Sequence, residues 1–281
     1  MRLGVMIGAE RGDSARKVAK LIADIEWAES AGMDTAWMPQ VPGDFDALTM
    51  VALMASRTTT IELGTAVVPL QAQHPIALAR QALSVHAVAA GRLALGVGPS
   101  HHWIVRDMLG LPYEKPAAYT RDYLEVLHAA LQNPGPVDVE NDTFTVHNPL
   151  DLPPVSPLPV LIAALGPVML KIAGEHADGT VLWMADERAI GDHIAPRITK
   201  AAATPDVRHL GSSRVSRCAS APTPRATPPR SGPTGSSPKP RPRPTTRSFW
   251  TVAMPATSVT CVRPVTRSQS WRGSSSSPTP E

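Results

Sequence analysis

The feature that most limits what this chain can fold into is a rhythm. From residue 2 to about residue 203, short apolar runs alternate with longer amphipathic stretches. Residues 2–8 (RLGVMIG), 34–38 (DTAWM), 61–68 (IELGTAVV), 92–97 (RLALGV), 159–164 (PVLIAA) and 179–184 (GTVLWM) read as strands. They are short and apolar throughout, as parallel strands covered on both faces are. Residues 14–31, 46–56, 75–90, 116–132, 167–176 and 186–202 read as helices. In the first of these, Val18, Leu21, Ile22, Ile25 and Ala28 recur at three- and four-residue spacing, the signature of one buried face. Asp46 is placed to cap the second, and Pro75 opens the third where its missing N–H costs nothing. Such alternation predicts an α/β fold with a parallel sheet. Residues 134–156, rich in Pro, Asn and Asp, read as an excursion between units. The count is six strand–helix units. An open doubly wound sheet could use six, and a closed barrel needs eight.

Composition divides the chain at about Thr204. Residues 1–203 carry 15 Lys+Arg and 22 Asp+Glu, whereas residues 204–281 carry 12 and 2. The basic character of the chain therefore belongs to its last 78 residues. That tail holds 14 Pro, 15 Ser, 11 Thr and 11 Arg with one Leu and no Ile, too little apolar surface to build a core. It reads as a disordered segment. A basic arm contacting nucleic acid is the lesser reading. A third reading fits the composition better: these are the residues a GC-rich gene yields out of frame. Starting each codon at the third base of a residue shown, Gly211 to Pro222 can read IVAGVPVCLCA, an apolar strand-like run. Phe249 to Arg267, at the same offset, can read as a soluble, acidic segment. The tail is thus read as a frameshift product that replaces the end of a normal domain.

Several classes drop out. No apolar run reaches the about 18–20 residues that span a bilayer. The start, MRLGVMIGAERGD, lacks the apolar core and cleavage site of a secretory signal, so a cytoplasmic protein is expected. Cys218 and Cys261 both lie in the tail, which leaves no cysteine site in the globular part. Residues 1–203 contain no nucleophile elbow, no HExxH and no nucleotide-binding glycine fingerprint, and no metal site is expected. Met33, Met38, Met50 and Met54 read as core.

Three places could carry chemistry. The strand at 92–97 runs into Gly98-Pro99-Ser100-His101-His102. A glycine there lets the backbone approach a ligand, and His101 could relay a proton near neutral pH. An ordinary solvated loop is the alternative. The strand at 159–164 runs into Leu165-Gly166-Pro167 at a helix start, where free N–H groups could hold an anion; a plain tight turn is equally consistent. Gly64-Thr65-Ala66-Val67 ends the third strand, and a glycine there marks either close ligand approach or core packing.

Taken together, these segments resemble the luciferase-like monooxygenases. Residues 27–37 (WAESAGMDTAW) look like the family's early block, and 61–102 (IELGTAVVPLQAQHPIALARQALSVHAVAAGRLALGVGPSHH) look like its central one. Residues 108–125 and 160–184 continue the match, which covers roughly 1–203. It is most similar to the branch that uses the deazaflavin coenzyme F420. The resemblance implies a (β/α)8 TIM barrel, here with about six β/α units over 1–203 followed by the disordered tail 204–281. It implies F420, or FMN as the alternative, at the C-terminal face. The function implied is an oxidoreductase transferring hydride between deazaflavin and a small organic substrate, with an FMN-dependent monooxygenase as runner-up. Carried over by position, Thr65, Ala66 and Val67 flank the ring system. Gly98, Ser100 and His101 lie along the cofactor. Ala164, Leu165, Gly166 and Pro167 hold its phosphate, and Trp183 and Met184 close the far side. His101 is the implied catalytic proton donor or acceptor. Relatives that oxidise sugar phosphates carry a His after the second strand and a Glu at the place of His101. Here the former stretch is Pro39-Gln40-Val41-Pro42, which argues against that substrate class. Barrels of this family often pair, so a homodimer is implied.

The missing seventh and eighth units are the largest departure. A barrel closes by pairing its last strand with its first. Without them, the first and sixth strands are expected as open apolar edges, and the chain as written is expected not to be an active enzyme. The reading of another class is an inactive remnant, or a binding protein whose basic tail contacts nucleic acid.

Overall fold

In the computed structural model, six parallel strands curl around an apolar bore with helices outside. The structure describes residues 3–8, 13–132, 135–150 and 156–203, and the backbone of 249–253 and 259–265. The strands of the repeating units are β1 (Gly4–Met6), β2 (Thr35–Met38), β3 (Glu62–Thr65), β5 (Leu93–Gly98), β8 (Val160–Ala163) and β9 (Gly179–Leu182). A two-residue strand β4 (Val68–Pro69) follows β3, and β6 (Gly135–Glu140) and β7 (Thr145–Leu150) make a separate hairpin. The helices are α1 (Ser14–Ser30), α2 (Ala47–Ala55), α3 (Pro75–Val88), α4 (Pro116–Gln132), α5 (Pro167–His176), the single turn α6 (Glu187–Ala189) and α7 (Ala195–Ala202).

The local rules act as expected. Asp13 and Asp46 accept from the third residue on, at Arg16 N and Thr49 N, and so cap α1 and α2, satisfying N–H groups a helix start leaves open. Pro75 occupies the first turn of α3, and the ring of His74 accepts from Ile76 N. The expected helix at 186–202 is broken instead into α6, a π-helical turn (Ile190–Ile194) and α7. Pro196 has no N–H to continue the ladder. The excursion at 134–156 contains the β6–β7 hairpin, which packs on α4. Thr143 Oγ1 donates to Asp122 at 2.6 Å, and Asn141 donates to Asp122 O and Glu125.

Strand period two sorts the core into two layers. Val5, Ala36, Met38, Leu63, Leu95, Val97, Val160, Ile162 and Leu182 face the helices in one large cluster. The alternate residues Met6, Trp37, Ala94, Leu161 and Val181, each from a different strand, meet inside the bore. Trp37 fills it because Gly64 yields the space: a Cβ there would stand 2.2 Å from the indole. The Gly64 position is thus core packing. Met38 and Met54 are fully buried, and Met33 and Met50 pack against the core.

At the N-terminal ends of the strands the molecule is locked by charge. Glu29, at the end of α1, accepts from Thr59 N, Thr60 N, Thr60 Oγ1 and Ile61 N at 2.6–3.1 Å. Arg92 donates to the carbonyls of Ala55, Thr58 and Ile61 and to Thr58 Oγ1, closing the C-terminal end of α2.

The parallel order is β1-β2-β3-β5-β8-β9. The expectation of open edges at β1 and β9 is corrected at the level of the backbone. Two tail strands, β10 (Phe249–Ala253) and β11 (Val259–Val265), bridge them. β11 runs parallel to β9, and β10 runs antiparallel to both β11 and β1. Ladder hydrogen bonds need backbone groups rather than particular side chains, and an open edge is a template for any extended segment. The disordered tail expected over 204–281 is corrected at these two strands. Its remaining residues lie outside the described ones. The result departs from a regular (β/α)8 barrel: among the described residues six units are present, and one added strand runs the wrong way.

Candidate functional site

Parallel neighbours end together, so the loops leaving β3, β5, β8 and β9 gather at one face. The centre of this mouth is Gly98, the last residue of β5. Its backbone sits so close to β8 that a Cβ would stand 2.7 Å from Cβ of Ala163 and 3.2 Å from Val67. Val67 and Gly98, far apart in sequence, thus converge, with Ala163 beside them. Ala66 N donates to Met38 O, and the peptide joining Ala66 to Val67 is cis. β3 ends at Thr65 and β4 begins at Val68, where sequence periodicity suggests one continuous strand. Thr65 is fully buried, and its hydroxyl is committed to β5, donating to Gly96 O at 2.8 Å and accepting from Gly96 N at 2.9 Å. It positions the strand end from within.

Beyond Gly98 the chain is held by Gln71, whose Oε1 accepts from Ser100 N at 3.3 Å. His101 is exposed and stacks on Trp103 with centroids 6.0 Å apart and planes 12° from parallel. The chain then forms a π-helical turn at Ile104–Met108, anchored by buried Ile104 and Val105. After β8, Ala164 is buried, while Leu165, Gly166 and Pro167 are exposed. Gly166 caps α5 without a side-chain acceptor, Pro167 is its first residue, and the space where a Gly166 Cβ would project is open. First-turn N–H groups with no side-chain cap and a glycine before them suit an anion such as a phosphate. His193, from the turn after β9, contacts Leu165 O at 3.1 Å through Nε2 and ties down that loop. Trp183 is half-exposed, and Met184 is 80% exposed with φ +56°.

All the expected site residues therefore lie at one end of the strands. Gln71, Trp103 and His193 were not legible in advance, because each acts through a contact some 2 to 30 residues away that no spacing announces. Among the described residues no three His, Cys, Asp or Glu side chains stand together as a metal site, and no helix is long and apolar enough to cross a membrane.

The family model described as luciferase-like monooxygenase matches residues 1–223. The chain belongs to that family. The match runs past Ala203, further than the motifs alone suggest. A protein of Mycobacterium tuberculosis named as a coenzyme F420-dependent oxidoreductase is 30% identical over 192 residues, 64% of this chain and 54% of that protein. The 5,10-methylenetetrahydromethanopterin reductase of Methanopyrus kandleri is 29% identical over 187 residues, 60% of this chain and 52% of the enzyme. Among solved structures, a type II Baeyer–Villiger monooxygenase of Pseudomonas putida in complex with FMN superposes with a TM-score of 0.62 at 20% identity. That superposition covers 73% of this chain and 64% of the other, and it shows the shared fold. The chain spans about half the length of the curated relatives it matches.

Proposed function

We propose that this family member is a coenzyme F420-dependent oxidoreductase acting on a small organic substrate. The observation that carries the reading is the mouth itself: Gly98, Val67 and Ala163 pressed together beside the uncapped start of α5. The relative named for F420 supports it. When bound there, the deazaflavin would supply hydride transfer. The chain's own residues would do the rest. The α5 N-terminus and Gly166 would hold the phosphate, and Gly98 and Val67 would let the ring lie against backbone. Trp183 and Met184 would cover its outer side. His101, beside Trp103, would give or take the substrate proton at an imidazole nitrogen. Titration with F420, read by its fluorescence and run against FMN as competitor, tests the reading. Saturable F420 binding that FMN does not displace is expected. Tighter binding of FMN favours the second reading, a flavin-dependent monooxygenase, which the FMN-bound structural relative supports.

The domain is residues 1–203, in the cytoplasm, and residues 204–281 are its out-of-frame ending. Two facts support this. The curated relatives align with only 192 and 187 residues of this chain, and residues 211–222 can read in the other frame as an apolar run where a further strand is due; the family match to residue 223 in the frame as written stands against it. Resequencing codons 195–215 tests it. An intact frame shared with related genes refutes the frameshift. A DNA affinity that falls steeply with salt and vanishes on removing 204–281 would favour the nucleic-acid reading instead.

A further inference from the structure

Exposed apolar side chains are not scattered over this molecule. Among the described residues, nine of the eleven large ones follow the C-terminal ends of strands, and eight of those follow β5, β8 and β9. These three strands are hydrogen-bonded neighbours, so their loops leave the sheet side by side and make up its rim there. Trp103, Met108, Leu109, Leu165, Trp183 and Met184 on that rim are 46–80% exposed. The other end of the strands shows the opposite character, with the Glu29 carboxylate and the two terminal nitrogens of Arg92 held in a dense polar network. The bore beneath the rim is lined by Met6, Trp37, Ala94, Leu161 and Val181, none of them ionisable.

We infer that the mouth takes an uncharged, largely apolar substrate. This rests on the reading of the mouth as the cofactor site and adds the substrate class. Exposing apolar surface costs about 25 cal/mol per Å², so a rim confined to one end marks a surface that is covered in use. Binding sites are commonly apolar walls with a few placed polar groups. Here the placed group is His101, lying flat on Trp103. An oxygen of the substrate meets the imidazole while its carbon body lies on Met108 and Leu109. A phosphorylated substrate would find Arg106 on the turn after β5 and no ionisable group in the bore.

The test is calorimetric titration of the F420-loaded full chain with cyclohexanone and, separately, with glucose 6-phosphate. The frame-restored protein is carried in parallel. Cyclohexanone is expected to bind, at least fivefold more weakly in Met108→Ser and Leu109→Ser. Val88→Ser, at the opposite end, is expected to bind as the parent does. Tighter binding of glucose 6-phosphate, or an equal loss in Val88→Ser, overturns the inference. So does a concentration-dependent dimer abolished by Met108→Ser and Leu109→Ser, which would assign the rim to a second copy. Bound F420 with no cyclohexanone binding sinks the substrate class alone. Failure of both proteins to bind F420 sinks the cofactor reading, and this inference with it.

Discussion

Glu29 lies at the end of a helix but does its work on another segment. Burial alone would raise its pKa, yet the N–H groups of Thr60, Ile61 and Thr59 and the Thr60 hydroxyl outweigh this and pull it down to about 2. A carboxylate whose folded pKa is depressed stabilises the fold above its ordinary value of 4.5, and that contribution is lost as pH falls from there toward 2. Glu29→Gln should cost about 1–2 kcal/mol at pH 7, allowing for solvent screening. The variant's urea midpoint should rejoin that of the parent near pH 2. Gly98 bears on function. Gly98→Ala drives a Cβ to 2.7 Å from Ala163, so β5 and β8 must separate, at about 1–3 kcal/mol. F420 titration of Gly98→Ala should show affinity reduced at least tenfold, while Gly135→Ala, a site on the β6–β7 hairpin with open space around it, should bind as the parent does. The sequence marks Gly98 as a glycine after a strand. Only the approach of β8 gives it a reason to be one.

At the scale of elements, the helix starts at Asp46 and Pro75 were legible because these residues act within four residues of themselves. The joints between elements were not. His86 of α3 is fully buried, with Nε2 3.0 Å from both O and Oγ of Ser156, just before β8. Burial pushes its pKa below 6.5, against the opposing pull of the Ser156 and Leu93 carbonyls. The fold therefore holds the neutral ring. Above pH 6.5 this costs nothing, and below it the unfolded chain takes up a proton that the fold resists, so stability falls with pH. The urea midpoint should drop between pH 7.5 and 5.5, and the drop should shrink in His86→Gln. An equal drop in that variant would assign it to other groups. The β6–β7 hairpin makes the same point. Its residues read as an excursion, because its pairing and its docking through Thr143 on Asp122 are settled only once α4 is in place.

For the whole molecule the question is closure. Six units give six parallel strands, and the gap is bridged by β10 and β11, the former antiparallel. A regular barrel would put a parallel strand and a covering helix at each of those places. A gene with its frame restored near codon 204 should thus yield a protein with a larger urea m-value and a higher midpoint than the chain as written, since m scales with the surface a fold buries. Equal m-values would show that the tail as written completes the fold as well.

Pattern alone determined that this chain makes buried parallel strands and amphipathic helices in alternation, where most helices begin, and which loops share the C-terminal face. All of these follow from backbone geometry and from side chains acting over a few residues. The tertiary structure decided what depends on distant approach: Trp37 entering the space above Gly64, Gly98 closing on Ala163, His101 lying on Trp103, and the edges of β1 and β9 drawing in whatever backbone could pair with them. Those outcomes are set by contacts between strands, and no local periodicity encodes which strand will stand beside which.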